Sequence, residues 1–100
     1  MPYRLTRRAQ AQKKAAIRAR AAGAGFYAAE KLNKAFDRTF EMLARFPEAG
    51  SARPDLTKQP VRLFPCDVYW VVHQPNLPYV DIVAIIDMRR QLEDALAARR

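Results

Sequence analysis

An α+β fold is what this sequence predicts, and three observations carry it. Residues 7–22 and the stretch from Phe26 onward have helical composition, and the second repeats its apolar residues at helical spacing. In the second half, segments beginning at Val61, Asp67 and Tyr79 are rich in β-branched and aromatic residues. Short turns join those segments, which makes the sheet mainly antiparallel. The expected order is β-α-α-β-β-β with a C-terminal helix, an N-terminal helical hairpin being packed on one face of a small sheet. One hundred residues make a single domain, 1–100, with one modest core.

Residues 3–5 read as a brief opening strand, and Thr6 is placed to cap the helix that follows. Residues 7–22 are mostly Ala, Gln, Lys and Arg. Wound at about 100° per residue, they put Arg7, Lys14 and Arg18 on one stripe and Lys13 and Arg20 on another. Ile17 is the one large apolar residue among the alanines, so this helix packs thinly and displays positive charge. It lacks the bulky apolar face of a membrane-surface helix. Ala22, Gly23, Ala24 and Gly25 break the pattern.

From Phe26 the period is clean. Phe26, Ala29, Leu32, Phe36, Phe40 and Leu43 share about a third of the helix circumference, with Lys31, Lys34, Arg38 and Arg45 opposite. The three phenylalanines read as core packing and not as a ligand box. Phe46 before Pro47 ends the helix, because a residue preceding proline is pushed out of the α region.

Residues 46–60 form a proline-rich loop, and strands follow at 61–64 and 67–74. Residues 75–78 turn the chain into a last strand at 79–86. There, strict alternation puts Val80, Ile82, Ala84 and Ile86 on one face and Val83 and Ile85 on the other, as in a strand covered on both sides. Residues 88–100 have helical composition with Leu92 and Leu96 one turn apart. Glu93 and Asp94 near its start and Arg99 and Arg100 at its end suit the helix dipole.

A formal charge of +8 favours an acidic partner, whether nucleic acid, an acidic protein segment or an anionic surface; an arginine-rich soluble domain fits the charge equally well. Cys66 is the only cysteine, so no internal disulfide forms, and it reads as a small core residue. No apolar run is long enough to span a membrane and no secretory h-region precedes the fold, so the cytoplasm is the default.

No glycine-rich phosphate loop, Cys/His metal spacing or nucleophile elbow is present, and neither cofactor nor metal is expected. His73, the only histidine, reads as a packed or surface imidazole in preference to a general base. Glu93 and Asp94, adjacent on a helix, read as solvated. The arginines remain. Arg53, Arg62, Arg89 and Arg90 come from separate segments that the fold allows to converge on one exposed face, where guanidinium groups grip phosphates and carboxylates bidentately.

Four segments in order resemble the ParE/RelE superfamily of bacterial toxins from type II toxin–antitoxin pairs. YRLTRRA (3–9) is similar to the family's first strand and alanine-bearing helix, and FPEAGSARPDL (46–56) to its F-P-x-x-G-x-x-R-x-x-L. VRLFPCDVYWVVHQP (61–75) resembles an arginine-bearing strand paired with Y-x-V-x-Y, and VDIVAIIDMRRQL (80–92) resembles V-x-I-x-x-I-x-H-x-R-R-D-L. The resemblance implies a sheet backed by a helical hairpin and one of two activities. RelE-like members are ribosome-dependent messenger ribonucleases, ParE-like members inhibit DNA gyrase by binding, and both are silenced by an antitoxin segment that wraps the toxin.

Where the family often has histidine after the last strand, this chain has Asp87, and Met88 follows where some nucleases place tyrosine. Neither supplies an imidazole or phenol, and a carboxylate repels an RNA phosphate. Ala84 stands where ParE-like relatives often have arginine, Gln91 replaces the aspartate after the two arginines, and the first helix is less bulky than in relatives.

The ParE-like reading is therefore favoured: a non-catalytic toxin that stalls gyrase on DNA, neutralised by an acidic antitoxin, with higher-order toxin–antitoxin assembly as the resemblance implies. Arg53, Arg62, Arg89 and Arg90, with Lys13, Lys14, Arg18 and Arg20 on the hairpin, are the expected antitoxin or target contacts. The runner-up is a RelE-like ribonuclease using His73, Arg62 and Arg89; a third reading is an inactive relative that only binds antitoxin. A plain nucleic-acid-binding domain lacks recognisable base-reading helices or stacking motifs.

Overall fold

Thr6 starts the helical hairpin as its position suggests. Its hydroxyl accepts a hydrogen bond from the Ala9 N–H at 3.1 Å and donates one to the Val83 carbonyl at 3.2 Å, so one side chain caps a helix and ties it to the sheet. The computed structural model describes residues 2–97, and the expected Arg99–Arg100 helix end lies outside them. The elements are β1 (Tyr3–Leu5), α1 (Arg7–Ala24), α2 (Phe26–Arg45), β2 (Ser51–Ala52), β3 (Arg62–Cys66), β4 (Tyr69–Asn76), β5 (Tyr79–Asp87) and α3 (Leu92–Ala97). The sheet order is β1-β5-β4-β3-β2. The β1–β5 pair is parallel and the rest are antiparallel, so this is the expected α+β arrangement with one added strand, β2.

Each face of the sheet has its own apolar cluster. The hairpin side holds Leu32, Phe36, Phe40 and Leu43 of α2 against Val71, Val80, Ile82 and Ile85, while α1 contributes only Ala9, Ala16 and the half-buried Ile17. Phe36 and Phe40 stack at 6.0 Å between centroids, and Phe36 also meets Tyr69 at 5.6 Å. The other side packs Ala95 and Leu96 of α3 with Val61, Leu63, Val72, Ala84 and Ile86. Cys66 is buried, and burial pushes its thiol pKa up, as suits a small core residue.

Three expectations are corrected. The first helix does not end at Ala22, and the break falls at Gly25, inside the expected 22–25 stretch. α1 runs through Gly23 and stops at Gly25, whose φ of +91° favours glycine; a helical glycine costs only about 1 kcal/mol against alanine. Phe26, expected in the core stripe, is 75% exposed. It is the first residue of its helix, and helical side chains lean toward the N-terminus, so it projects past the packed seam. Strict alternation in β5 also fails. Val72 pairs with Ala84 but His73 with Ile82, which leaves Val83 as an extra residue in a bulge. The bulge switches faces: Val80, Ile82 and Ile85 meet the hairpin, whereas Ala84 and Ile86 meet α3.

β1 is too short to pair the whole of β5, and α1 takes over where it ends. The Thr6 N–H donates to the Ile82 carbonyl at 3.0 Å, and Gln12 Oε1 accepts from the Ile85 N–H at 2.7 Å. A polar helix thus satisfies a strand edge that β1 leaves open.

Candidate functional site

The four arginines expected to converge, Arg53, Arg62, Arg89 and Arg90, do not share one face, and the four hairpin cations are also divided. They fall into separate places, the first being a groove between α1 and the end of the β4–β5 ladder. Two adjoining depressions of about 500 and 240 Å³ share Ala19, Tyr69 and Arg89; Arg20, Gly23 and Met88 line the larger, and Gln12, Asp87 and Arg90 the smaller. Small residues on α1 hold its backbone close and leave this space unfilled. Arg20 reaches across to Asp67, its Nη2 donating at 2.6 Å, and that hydrogen bond holds the Asp67 carboxyl below its ordinary pKa.

Asp87 is clamped from one side. Arg89 Nε and Nη2 donate to its two carboxylate oxygens at 3.0 and 2.6 Å, and the Arg89 N–H donates at 2.9 Å. These bonds lower the Asp87 pKa to about 2. Arg90 is exposed and makes no ion pair among the described residues. The junction after β5 thus presents one neutralised arginine and one uncommitted one.

Arg53 and Arg62 lie in a different cleft, of about 650 Å³, with Lys58, Thr57 and Gln74 also in its wall. Their guanidinium groups are engaged locally. Arg53 forks onto Asp55 at 3.0 and 2.8 Å, and Arg62 donates to the Ala49 and Gly50 carbonyls at 3.4 and 2.9 Å. Gly50 packs directly on the β3 backbone: its φ is +83°, and a Cβ there would lie 2.3 Å from the Leu63 carbonyl oxygen. Lys13 pairs with Asp37 of α2 at 3.2 Å, in the hairpin seam. Lys14 and Arg18 are exposed, without ion pairs among the described residues, on the side of α1 away from the groove.

His73 is wholly buried on the middle strand, on the hairpin side, and neither ring nitrogen makes a hydrogen bond of good geometry. Burial pushes its pKa down, and the charge of Arg62 adds to that; the carbonyls of Pro47, Val71 and Ala49 pull the other way. Arg62 is its cross-strand neighbour, whereas Arg89 follows Asp87, which pairs with Tyr69 four residues along β4. That separation is about 13 Å along the strand. The set His73, Arg62 and Arg89 is therefore not assembled, and the imidazole has no path to a ribose hydroxyl. Among the described residues no cluster of three His, Cys, Asp or Glu side chains is placed to hold a metal, and no helix is long and apolar enough to cross a membrane.

The sequence profile described as ParE toxin of type II toxin-antitoxin system, parDE, matches residues 3–92. The chain belongs to the ParE toxin family. Its fold is similar to a solved structure titled "Chromosomal ParDE TA system from P. aeruginosa", with a TM-score of 0.73 and 20% identity over 87% of this chain and 95% of that one. No curated protein sequence matches it significantly. As a ParE-type toxin, it has a type II antitoxin as its partner.

Sequence reasoning missed the apolar members of the groove, Tyr69 and Met88, and its α1 wall of Ala19 and Gly23. The thin apolar face of α1 was the available signal, since a helix that fills little space leaves some open. Exposure of Phe26 and Tyr27 at the hairpin tip left no trace in the periodicity.

Proposed function

We propose that this toxin acts by binding DNA gyrase and stalling it on DNA, with no bond-breaking chemistry of its own. A cognate acidic antitoxin silences it in the cytoplasm by laying an acidic, partly apolar segment into the groove between α1 and the strand ends, and the pair assembles further through the antitoxin. The observation that carries this reading is the state of the acid–base candidates. Asp87 is bound by Arg89 and ionised down to about pH 2, while the only imidazole is sealed in the core. General acid–base cleavage of RNA needs a titrating group within hydrogen-bond reach of the substrate, and neither qualifies. A groove with an apolar floor and arginines along it suits recognition of an acidic segment.

Two assays on the purified full chain test the proposal. Supercoiling by purified gyrase is expected to fall, with cleaved DNA trapped, while messenger RNA on translating ribosomes stays intact. Cleaved RNA with unaffected gyrase overturns the reading in favour of a ribonuclease. Silence in both assays, with tight antitoxin binding, replaces it with an inactive relative.

A further inference from the structure

Residues 7–45 contain ten of the 18 basic residues and only three of the ten acidic ones, so the hairpin carries +7 of the formal +8. At its tip, Phe26 and Tyr27 are 75% and 76% exposed. Two adjacent rings left in water amid cations are an apolar patch in a place where folding has no use for one. Ile17, Ala21 and the buried Ala29 line a shallow pocket of about 290 Å³ beside Phe26, with Arg18, Glu30 and Asn33 also in its wall. Lys31 Nζ lies 5.8 Å from the Tyr27 ring centre.

We propose that this tip is the docking surface for the toxin's protein target: Phe26 and Tyr27 anchor in an apolar recess on an acidic surface, and Arg18, Lys31 and Lys14 contact the acids around it. Naming gyrase as that target rests on the function proposed above. Shape and charge select this occupant. Residues 22–27 are all exposed, which makes the tip convex, and a convex anchor fits a recess in a folded partner. A wrapping antitoxin segment needs a concave bed, and the groove that provides one lies on the opposite side of α1, where Ala19, Arg20 and Gly23 face away from Ile17, Arg18 and Ala21. A second copy is disfavoured because it brings the same +7 hairpin. For nucleic acid, two rings beside an aliphatic pocket make a poor stacking platform.

Two double variants of the full chain test this, Phe26→Ser with Tyr27→Ser and Arg18→Glu with Lys31→Glu, each compared with wild type for inhibition of purified gyrase. Both are expected to raise the half-inhibitory concentration about tenfold or more while leaving thermal unfolding unchanged, because all four side chains are outside the core. A Ser/Ser variant as potent as an inhibitory wild type overturns the tip proposal alone. So does a wild type that binds single-stranded DNA, or itself, through a contact the Ser/Ser pair abolishes. Wild type without effect on gyrase overturns the proposed function and this inference together.

Discussion

The hairpin and the rest of the chain contain similar numbers of basic residues but use them differently. Outside the hairpin, Arg4, Arg53 and Arg89 each meet a carboxylate, Asp81, Asp55 and Asp87, and net charge there is close to zero. On the hairpin, Lys13 and Arg20 are paired, but Lys14 and Arg18 make no ion pair among the described residues. A count of arginines therefore overstates the sheet as a gripping surface and understates the helices. Charge available to a partner is charge that the fold has not already matched.

The same division governs stability, and α2 against α1 is where it is easiest to break. Phe36 is fully buried and touches Phe40 and Tyr69, whereas Ile17 is half-buried and is the largest apolar residue that α1 offers. Phe36→Ala is expected to cost about 3–5 kcal/mol, and Ile17→Ala about 1 kcal/mol, because cavity cost follows how completely a side chain is enclosed. Urea midpoints of the two variants check this. Equal losses mean that α1 is a structural helix after all and its exposed cations are incidental.

Much of this was legible in the sequence where a local rule applied. Thr6 could be read as a cap, the α2 stripe as a core face, and Phe46–Pro47 as a helix end, because each depends on residues within a turn or two. The β5 bulge was not legible: residues 82–86 are all apolar, so no alternation existed to show a slip at Val83. Grouping the arginines failed for another reason. Which cation shares a cleft with which is decided by strand order and by partners such as Asp67, 47 residues from Arg20. The Asp87–Arg89 clamp, by contrast, is two residues long and lay open to reading.

His73 sharpens the comparison on the sheet side, where a titrating group is buried with no hydrogen bond of good geometry. Its folded pKa lies below the ordinary 6.5, so the unfolded chain binds the proton more readily than the folded one. Its contribution to stability is complete above about pH 6.5 and is lost as pH falls from there toward the lowered folded value. Urea midpoints are expected to drop between pH 7.5 and 5.5 in wild type and to change less in His73→Leu. An unchanged slope in that variant means that other groups carry the pH dependence.

The smallest expected effect is at the clamp itself. Asp87 titrates at about 2 because Arg89 holds it, so Arg89→Ala is expected to return it toward 3.8, read by NMR of the carboxyl carbon. The pair's contribution is present above pH 3.8 and lost as pH falls through about 2, a window far from neutral. With the Arg89 side chain 88% exposed, stability at pH 7 should hardly move. Asp87→Asn asks the sharper question. It removes a carboxylate and releases Arg89, so a groove that works by gripping acids should hold an acidic segment at least as well as before. A ribonuclease that used Asp87 as its base would lose RNA cleavage with the same substitution. Gain or constancy in binding therefore places this junction with the hairpin, as surface that contacts a partner through unmatched charge.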